Sequence, residues 1–172
     1  PEGMRSTIFA LIFASSCAAQ IQYDPQFPQT MPATKFASME FVNARPPNQG
    51  GDDTRAVGIA RGGYGNPMTF RQKDPADLPR LIQEATADAL KSAGVELKPG
   101  AGNHLVARVL QFWMDGYVGY TAWVEVEYSI VDPSGQPLWK EQVVGRQGGA
   151  VLSFGAASDL LSSALANMAR EA

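Results

Sequence analysis

The feature that most limits how this chain can fold is one long segment in which apolar and polar side chains alternate. Residues 118–131 read VGYTAWVEVEYSIV, with an apolar or aromatic side chain at every second position. A period of two places these side chains on one face of a β-strand, and most of the other face is polar. Sheets that bury one face and expose the other produce this pattern. The segment therefore predicts a long, half-buried antiparallel strand.

Four other segments are predicted to be strands. They are residues 35–43, 55–61, 104–114 and 138–145. In the first, Met39 and Phe41 are expected to face the core. The third is apolar at both its odd-numbered and its even-numbered positions, as expected of a central strand. A type I turn at Asp132-Pro133-Ser134-Gly135 reverses the chain into the fourth.

Two segments have the spacing of amphipathic helices. The first has two candidate N-caps, Asp74 and Asp77, carries apolar residues at helical spacing over residues 78–93, and ends at Gly94. The second has the apolar stripe Leu160, Leu161, Ala164, Leu165 and Met168. The predicted order is β-β-α-β-β-β-α. The fold class is therefore predicted to be α+β, with a mainly antiparallel twisted sheet and both helices packed on one face.

Composition and charge restrict the functional classes. The chain has 172 residues, enough for one domain with its own core, and a formal net charge of −3. Because binding to nucleic-acid phosphates needs a concentration of Lys and Arg, a nucleic-acid partner is not expected. One Cys excludes an internal disulfide, and one Cys with one His argues against a zinc site. No metal and no cofactor is expected.

The N-terminal residues have the layout of a secretory signal. Met4-Arg5-Ser6 supplies a start and a short basic region, and the apolar residues 7–14 follow. This run is far shorter than the ~18 residues of a membrane-spanning helix, so it suits export. Ala14, Ser15 and Ser16 directly precede Cys17. The pattern resembles the bacterial lipoprotein signal, in which small side chains precede a Cys that becomes acylated, although that family usually has Leu where this chain has Ala14.

Acylation of Cys17 would divide the chain into three parts. Residues 1–16 are then the signal peptide, residues 17–33 a tether rich in Pro and Gln, and residues 34–172 a single α+β domain. The alternative for the leader is an ordinary signal peptidase cut after Ala19. The alternative for the tether is that its apolar residues pack back onto the domain as an edge strand; these are Ile21, Tyr23 and Phe27.

Several segments together resemble the YajG-like family of small bacterial envelope lipoproteins. They are ASSC before the tether, the strand ending in FVNARP, the helix LIQEATADALKSAGVEL, the strand HLVARVLQF and the long alternating strand after it. The likeness spans most of residues 34–147, and the family typically has Asp where this chain has Asn43. The resemblance implies an envelope lipoprotein of α+β fold with no established activity. More distantly, the chain looks like lipoproteins that assist envelope machines, such as activators of peptidoglycan synthases or auxiliary subunits of lipid transporters.

Large aromatic side chains are concentrated in the C-terminal half. Trp123 lies on the face of its predicted strand that is otherwise polar, and Trp and Tyr are enriched where proteins bind partners. The predicted partner surface consists of Trp113, Tyr117, Trp123 and Trp139. For Trp123 the alternative is burial under a loop or helix. Five basic residues around the glycine-rich segment form a second candidate surface, for anionic headgroups or glycan, unless they are simply solvated; they are Arg45, Arg55, Arg61, Arg71 and Lys73.

No arrangement of residues predicts an active site. His104 is the only imidazole, so a Ser/His/Asp or Cys/His arrangement would depend on it. Glu125 and Glu127 could mimic a glycosidase pair, but a solvated strand face explains them better. An enzyme is therefore not expected.

These observations favour a non-enzymatic lipoprotein that is anchored to a membrane through lipid on Cys17 and binds an envelope protein partner. It is expected to face the periplasm from the outer membrane, because Ala18 is not the Asp that retains related lipoproteins in the inner membrane. Three alternatives stay open. The first is a soluble periplasmic protein cut after Ala19, and the second is a cell-wall glycan hydrolase that uses Glu125 and Glu127. The third is a homo-oligomeric module joined through exposed sheet edges.

Overall fold

The computed structural model describes the chain in seven stretches. They are residues 35–36, 38–61, 67–92, 96–97, 102–117, 119–149 and 163–164. The signal peptide, Cys17 and the tether predicted for residues 17–33 lie outside these residues, so the division into signal, tether and domain stays a prediction.

The described residues form eight strands and one helix with defined ends. In chain order they are β1 (Lys35–Phe36), β2 (Ser38–Asn43), β3 (Ala56–Arg61), β4 (Pro67–Arg71), α1 (Asp77–Ser92), β5 (Glu96–Leu97), β6 (His104–Gly116), β7 (Tyr120–Val131) and β8 (Pro137–Gly149). A short 3-10 turn, Pro47–Gln49, follows β2. The strands β1 and β5 pair with each other in a separate two-stranded sheet.

The main sheet has six strands, and β6 is its centre. Its order is β4-β3-β6-β7-β8, and β2 pairs with β6 as well. On one side, β6 pairs with β7 along its whole length. On the other side, β2 pairs with residues His104 to Val109 and β3 pairs with residues Met114 to Gly116. The two strands β2 and β3 therefore share one edge of β6, with a gap between them.

The prediction of a mainly antiparallel sheet with two helices on one face is wrong. The sheet is mixed, because β2 and β3 both run parallel to β6, whereas the pairs β3–β4, β6–β7 and β7–β8 are antiparallel. Parallel strands need a long crossover connection, and here α1 lies in that connection. Side-chain alternation shows which face of a strand is buried but does not show its direction, so the sequence pattern fits both arrangements.

The predicted order also misses two strands, β4 and β5, and places a second helix that the described residues do not show in full. The strand β4 follows directly on the glycine-rich segment, in a stretch to which the sequence pattern assigns no element. Of the second helix, only Ser163 and Ala164 are described; both are helical, and Ala164 is buried in the core. The structure thus remains broadly α+β, with sheet as its main component.

One hydrophobic core lies between α1 and one face of the main sheet. We call that face of the sheet the inner face and the opposite one the outer face. The helix begins at Asp77, the second of its two candidate caps. The preceding turn is closed by the first, Asp74, whose carboxylate accepts a hydrogen bond from the Ala76 amide at 2.8 Å. The fully buried residues of the core include Leu78, Ile82 and Ala85 of α1 and Val109, Phe112, Met114, Ala122, Val124 and Val126 of the sheet.

A β-bulge in β6 changes which residues of that strand face the core. The pairing with β7 shifts between Val109 and Gln111, so Leu110 has no direct partner there. Odd-numbered residues face the core before the bulge, whereas Phe112 and Met114 face it afterwards. This shift is the reason that the sequence of β6 is apolar at both parities. The prediction of a central strand at this position is nevertheless correct.

A buried hydroxyl pair connects the helix to the sheet. The hydroxyls of Thr86 on α1 and Tyr128 on β7 are 2.7 Å apart, and Thr86 also donates to the Ile82 carbonyl at 2.7 Å. The Tyr128 hydroxyl is therefore the donor to Thr86. Burial raises the pKa of Tyr128 to about 12.

This shift predicts a loss of stability at high pH that depends on Tyr128. Unfolded tyrosine loses its proton near its ordinary pKa of 10.0, whereas folded Tyr128 keeps it up to about 12, so the free energy of unfolding falls between these values. By about pH 11.5 the fall attributable to Tyr128 should be roughly 2 kcal/mol. The test is urea unfolding of the unmodified chain and of Tyr128→Phe across this range. Equal pH dependence in the two proteins would contradict the assignment.

Candidate functional site

The outer face of the sheet carries a row of large side chains across three strands. Trp113 on β6 lies directly opposite Trp123 on β7, and Trp123 lies directly opposite Arg146 on β8. Directly opposite residues have Cβ atoms about 5 Å apart, so the three side chains are neighbours on one face. We call Trp113, Trp123 and Arg146 the tryptophan row. The guanidinium carbon of Arg146 lies 5.9 Å from the centroid of the Trp123 ring, within the range of a cation–π contact.

Exposure increases along the tryptophan row. Trp113 is 7% exposed, Trp123 is half-buried and Arg146 is exposed. The accessible part of the row is therefore the part on β7 and β8. Half-buried aromatic rings beside an arginine are typical of protein contact surfaces, because they supply a large area that is already held rigid.

The other two predicted surface residues lie apart from each other. Tyr117 is 63% exposed in the turn between β6 and β7, two positions beyond Asp115, and is at the same end of the sheet as the tryptophan row. Trp139 is 39% exposed and pairs directly with Ile130, which packs against the core, so it lies on the inner-face side of β8 near the opposite end. The structure thus brings Trp113 and Trp123 together, places Tyr117 near that end, and separates Trp139 from them.

The two glutamates considered for glycan hydrolysis lie on the outer face next to the tryptophan row. Glu127 forms an ion pair with Lys140 at 2.8 Å and lies 3.8 Å from Arg108. Glu125 accepts a hydrogen bond from the side-chain amide of Gln142. Both carboxylates therefore have cross-strand partners on a solvated sheet face. This geometry accounts for their positions without a catalytic role.

His104 also has a structural partner. Its Nδ1 lies 2.8 Å from the Ser38 hydroxyl, across the pairing of β2 with β6. Within the described parts of the chain, His, Asp and Glu side chains form no group of three or more that could hold a metal ion.

The five basic residues proposed as a second surface do not form one continuous patch of unpaired positive charge. Arg61 forms a two-pronged pair with Asp115, at 2.8 and 3.0 Å, and Arg71 contacts Asp53 at 2.7 Å. Arg55 lies 4.0 Å from the same Asp53. The contacts from Arg71 and Arg55 keep the pKa of Asp53 below its usual value, and the hydrogen bond from Arg71 contributes most. A surface that attracts anions needs unpaired positive charge, so this arrangement weakens that interpretation.

Arg45 is not on the surface at all, which the sequence does not indicate. It is 4% exposed, and burial lowers its pKa to about 10 while the charge of Asp53 acts in the opposite direction. Its guanidinium donates to the carbonyl oxygens of Thr54 at 2.9 Å and Ala56 at 2.8 Å, and to the side-chain oxygen of Asn43 at 2.9 Å. A further contact of 3.5 Å reaches the Phe112 carbonyl.

These contacts show what Arg45 does in the fold. The Phe112 carbonyl lies in the gap on β6 between the stretches that pair with β2 and β3, and Thr54 and Ala56 lie where the chain enters β3. The Asn43 amide also donates to the Gly50 carbonyl at 3.1 Å, which holds the connecting loop. Arg45 thus supplies the donors that a strand would supply at this position. The only sequence signal for it is Asn-x-Arg between a strand end and a Pro-Pro pair.

No family model and no curated protein matches this chain in sequence. Comparison with solved structures finds the same fold in a Xanthomonas campestris protein of the DUF330 family, with a TM-score of 0.62 and 14% sequence identity over 90% of each chain. At this identity the likeness shows the fold alone.

More distant similarity extends to two other bacterial proteins. The PelC dodecamer from Paraburkholderia phytofirmans gives a TM-score of 0.39 at 17% identity, over 82% of this chain and 93% of that one. Lipoprotein GNA1162 from Neisseria meningitidis gives 0.37 at 14% identity, over 74% and 94%. Among the described residues, no helix is both long and apolar enough to span a membrane.

Proposed function

We propose that this protein is a bacterial envelope lipoprotein of the YajG-like kind, acylated at Cys17, whose folded head binds an envelope protein. The observation that carries the proposal is the position of the single cysteine, directly after Ala14-Ser15-Ser16 at the end of a short apolar run. Several acyl chains on one residue hold a protein at a membrane, whereas one chain alone binds only weakly. The head faces the periplasm from the outer membrane and has no enzymatic activity.

The outer face of the sheet supports the binding role. It presents the exposed end of the tryptophan row and, at the same end of the sheet, the exposed ring of Tyr117. The adjoining carboxylates are held in cross-strand contacts, so the surface is both rigid and mixed in polarity. Such a surface fits a protein partner, because interface centres combine aromatic rings and arginine with a polar rim.

The anchoring half of the proposal is tested by Cys17→Ala in cells. We expect the wild-type protein in the outer-membrane fraction, and mass spectrometry should identify an acylated Cys17 as its first residue. Cys17→Ala should move nearly all of it to the soluble periplasmic fraction or leave it as an uncleaved precursor. A soluble wild-type protein that begins at Gln20 would instead show that the cut falls after Ala19.

The binding half is tested by photo-crosslinking from single positions of the head. A photoreactive residue in place of Tyr117, which is 63% exposed, should give one discrete crosslinked envelope protein in intact cells. The same residue in place of Leu138 is the matched control, because Leu138 is 59% exposed but lies where β8 begins, at the opposite end of the sheet from Tyr117. Trp123→Ala should reduce the Tyr117 crosslink several-fold. Equal crosslinking from both positions would exclude the outer face as the partner surface.

A further inference from the structure

The strand β8 is a long edge that no other described strand covers. It pairs with β7 along its whole length, and on its other side the described residues place no strand. Every residue of β8 except Val143, Gly145 and Gln147 is exposed. The backbone groups on that side therefore have no strand partner among the described residues.

The two edges of the sheet are protected to very different degrees. Edge strands usually avoid pairing with another chain by being short, by carrying proline or a bulge, or by placing charged side chains along the edge. The edge strand β4 has 5 residues and begins with Pro67. By contrast, β8 has 13 residues. It also begins with a proline, Pro137, and its pairing is irregular there, but from Trp139 onward it has no proline and keeps a regular register with β7. Its exposed apolar side chains are Leu138 at 59%, Trp139 at 39% and Val144 at 44%.

We propose that a second copy of this chain occupies this edge, with β8 pairing antiparallel to the partner's β8 across a two-fold axis. The charges on β8 are of both signs, and they permit self-pairing in a restricted register. A two-fold axis perpendicular to the sheet keeps outer faces on the same side. Because residues two apart on a strand share a face, each even-numbered residue of β8 then faces an even-numbered residue of the partner.

One register satisfies the side chains best, and it places Val144 on the axis. Val144 then faces the partner's Val144, Gln142 faces the partner's Arg146, and Trp139 faces the partner's Gly149. The exposed Val144 side chains bury each other, and an aromatic ring opposite glycine covers backbone that would otherwise be exposed.

The neighbouring registers are poorer. An axis at Gly145 opposes no like charges, but it sets the exposed Val144 opposite the partner's Arg146 and leaves two glycines on the axis. An axis at Val143 sets Lys140 opposite the partner's Arg146, and an axis at Glu141 sets two glutamates opposite each other. An axis at Gln142 sets the exposed Val144 opposite the partner's Lys140. The register at Val144 opposes no like charges. It also aligns the tryptophan rows of both copies on one side of a joined sheet.

Disulfide trapping tests the register. The experiment uses the full 172-residue chain with Cys17→Ala, so that an introduced cysteine is the only one. A neutral detergent keeps the apolar residues 7–14 from aggregating. In this background Val144→Cys should form a covalent dimer on mild oxidation, because directly opposite Cα atoms are about 5 Å apart. The matched control Gln142→Cys lies about 14 Å along the strands from its copy and should crosslink at least tenfold more slowly. A Gln142→Cys protein that crosslinks as fast as Val144→Cys overturns the register.

Sedimentation tests the dimer itself without a crosslink. Cys17→Ala should show a reversible monomer–dimer equilibrium, and adding Val144→Glu should weaken it at least tenfold, because two carboxylates then meet on the axis. Leu138→Glu makes the same change at a residue of similar exposure near the end of β8 and should alter the dissociation constant less than twofold. A chain that stays monomeric overturns the proposal and leaves the edge to a strand of another protein. Neither measurement involves a membrane, so the outcome is independent of acylation at Cys17.

Discussion

Arg45→Ala should lower the free energy of unfolding by about 3 kcal/mol, a large effect for a loop residue. The substitution removes the donors to the carbonyl oxygens of Thr54 and Ala56 and to the side chain of Asn43, at a site that is 4% exposed. Each buried acceptor left without a donor costs about 1–3 kcal/mol, and the relief of no longer burying a charge offsets part of the sum.

The measurement is urea unfolding followed by tryptophan fluorescence, with two comparison variants. Arg55→Ala is the matched control, because Arg55 lies on the same connection but is exposed, and its loss should change the stability by less than about 0.5 kcal/mol. Arg45→Lys keeps the charge but replaces a planar fork with one ammonium, so it should recover less than half of the loss. If Arg45→Ala and Arg55→Ala were equally mild, the proposed role of Arg45 in the sheet gap would be wrong.

The structure also shows why the sequence points to the wrong environment for Arg45. It stands between Asn43 and Pro46-Pro47 in a polar segment, and such segments are normally solvated. Its burial depends on β2 and β3 sharing one edge of β6, which leaves the Phe112 carbonyl in a gap. That gap exists only once the parallel pairing is known, and no local pattern encodes it.

Local patterns do predict the elements whose environment is set by their own sequence. The alternation over residues 118–131 predicts the strand β7 with Ala122, Val124 and Val126 buried, and the helical spacing after Asp77 predicts α1. The position of Trp123 at the polar parity places it on the outer face, where the structure has it. By contrast, its neighbour Trp113 and its cation–π partner Arg146 come from other strands, so the tryptophan row follows only from the register.

The bulge in β6 provides a second case in which sequence and structure lead to different expectations. Leu110 and Phe112 are both large apolar residues of one strand, and the sequence alone gives no reason to rank them. In the structure Phe112 is 0% exposed in the core, whereas Leu110 is the extra residue of the bulge and is only half-buried. Phe112→Ala should therefore cost about 3–5 kcal/mol, and Leu110→Ala about 1 kcal/mol.

Urea unfolding of the two variants under identical conditions distinguishes the register with the bulge from a regular one. A regular strand continuing the odd-numbered positions of Leu105 and Val109 would direct Gln111 into the core and both Leu110 and Phe112 to the outer face, and the two substitutions would then be similarly mild. The same comparison bears on the tryptophan row, because the bulge moves Trp113 from the inner parity to the outer face opposite Trp123. A loss for Phe112→Ala no larger than the loss for Leu110→Ala would therefore contradict both the core and the candidate partner surface.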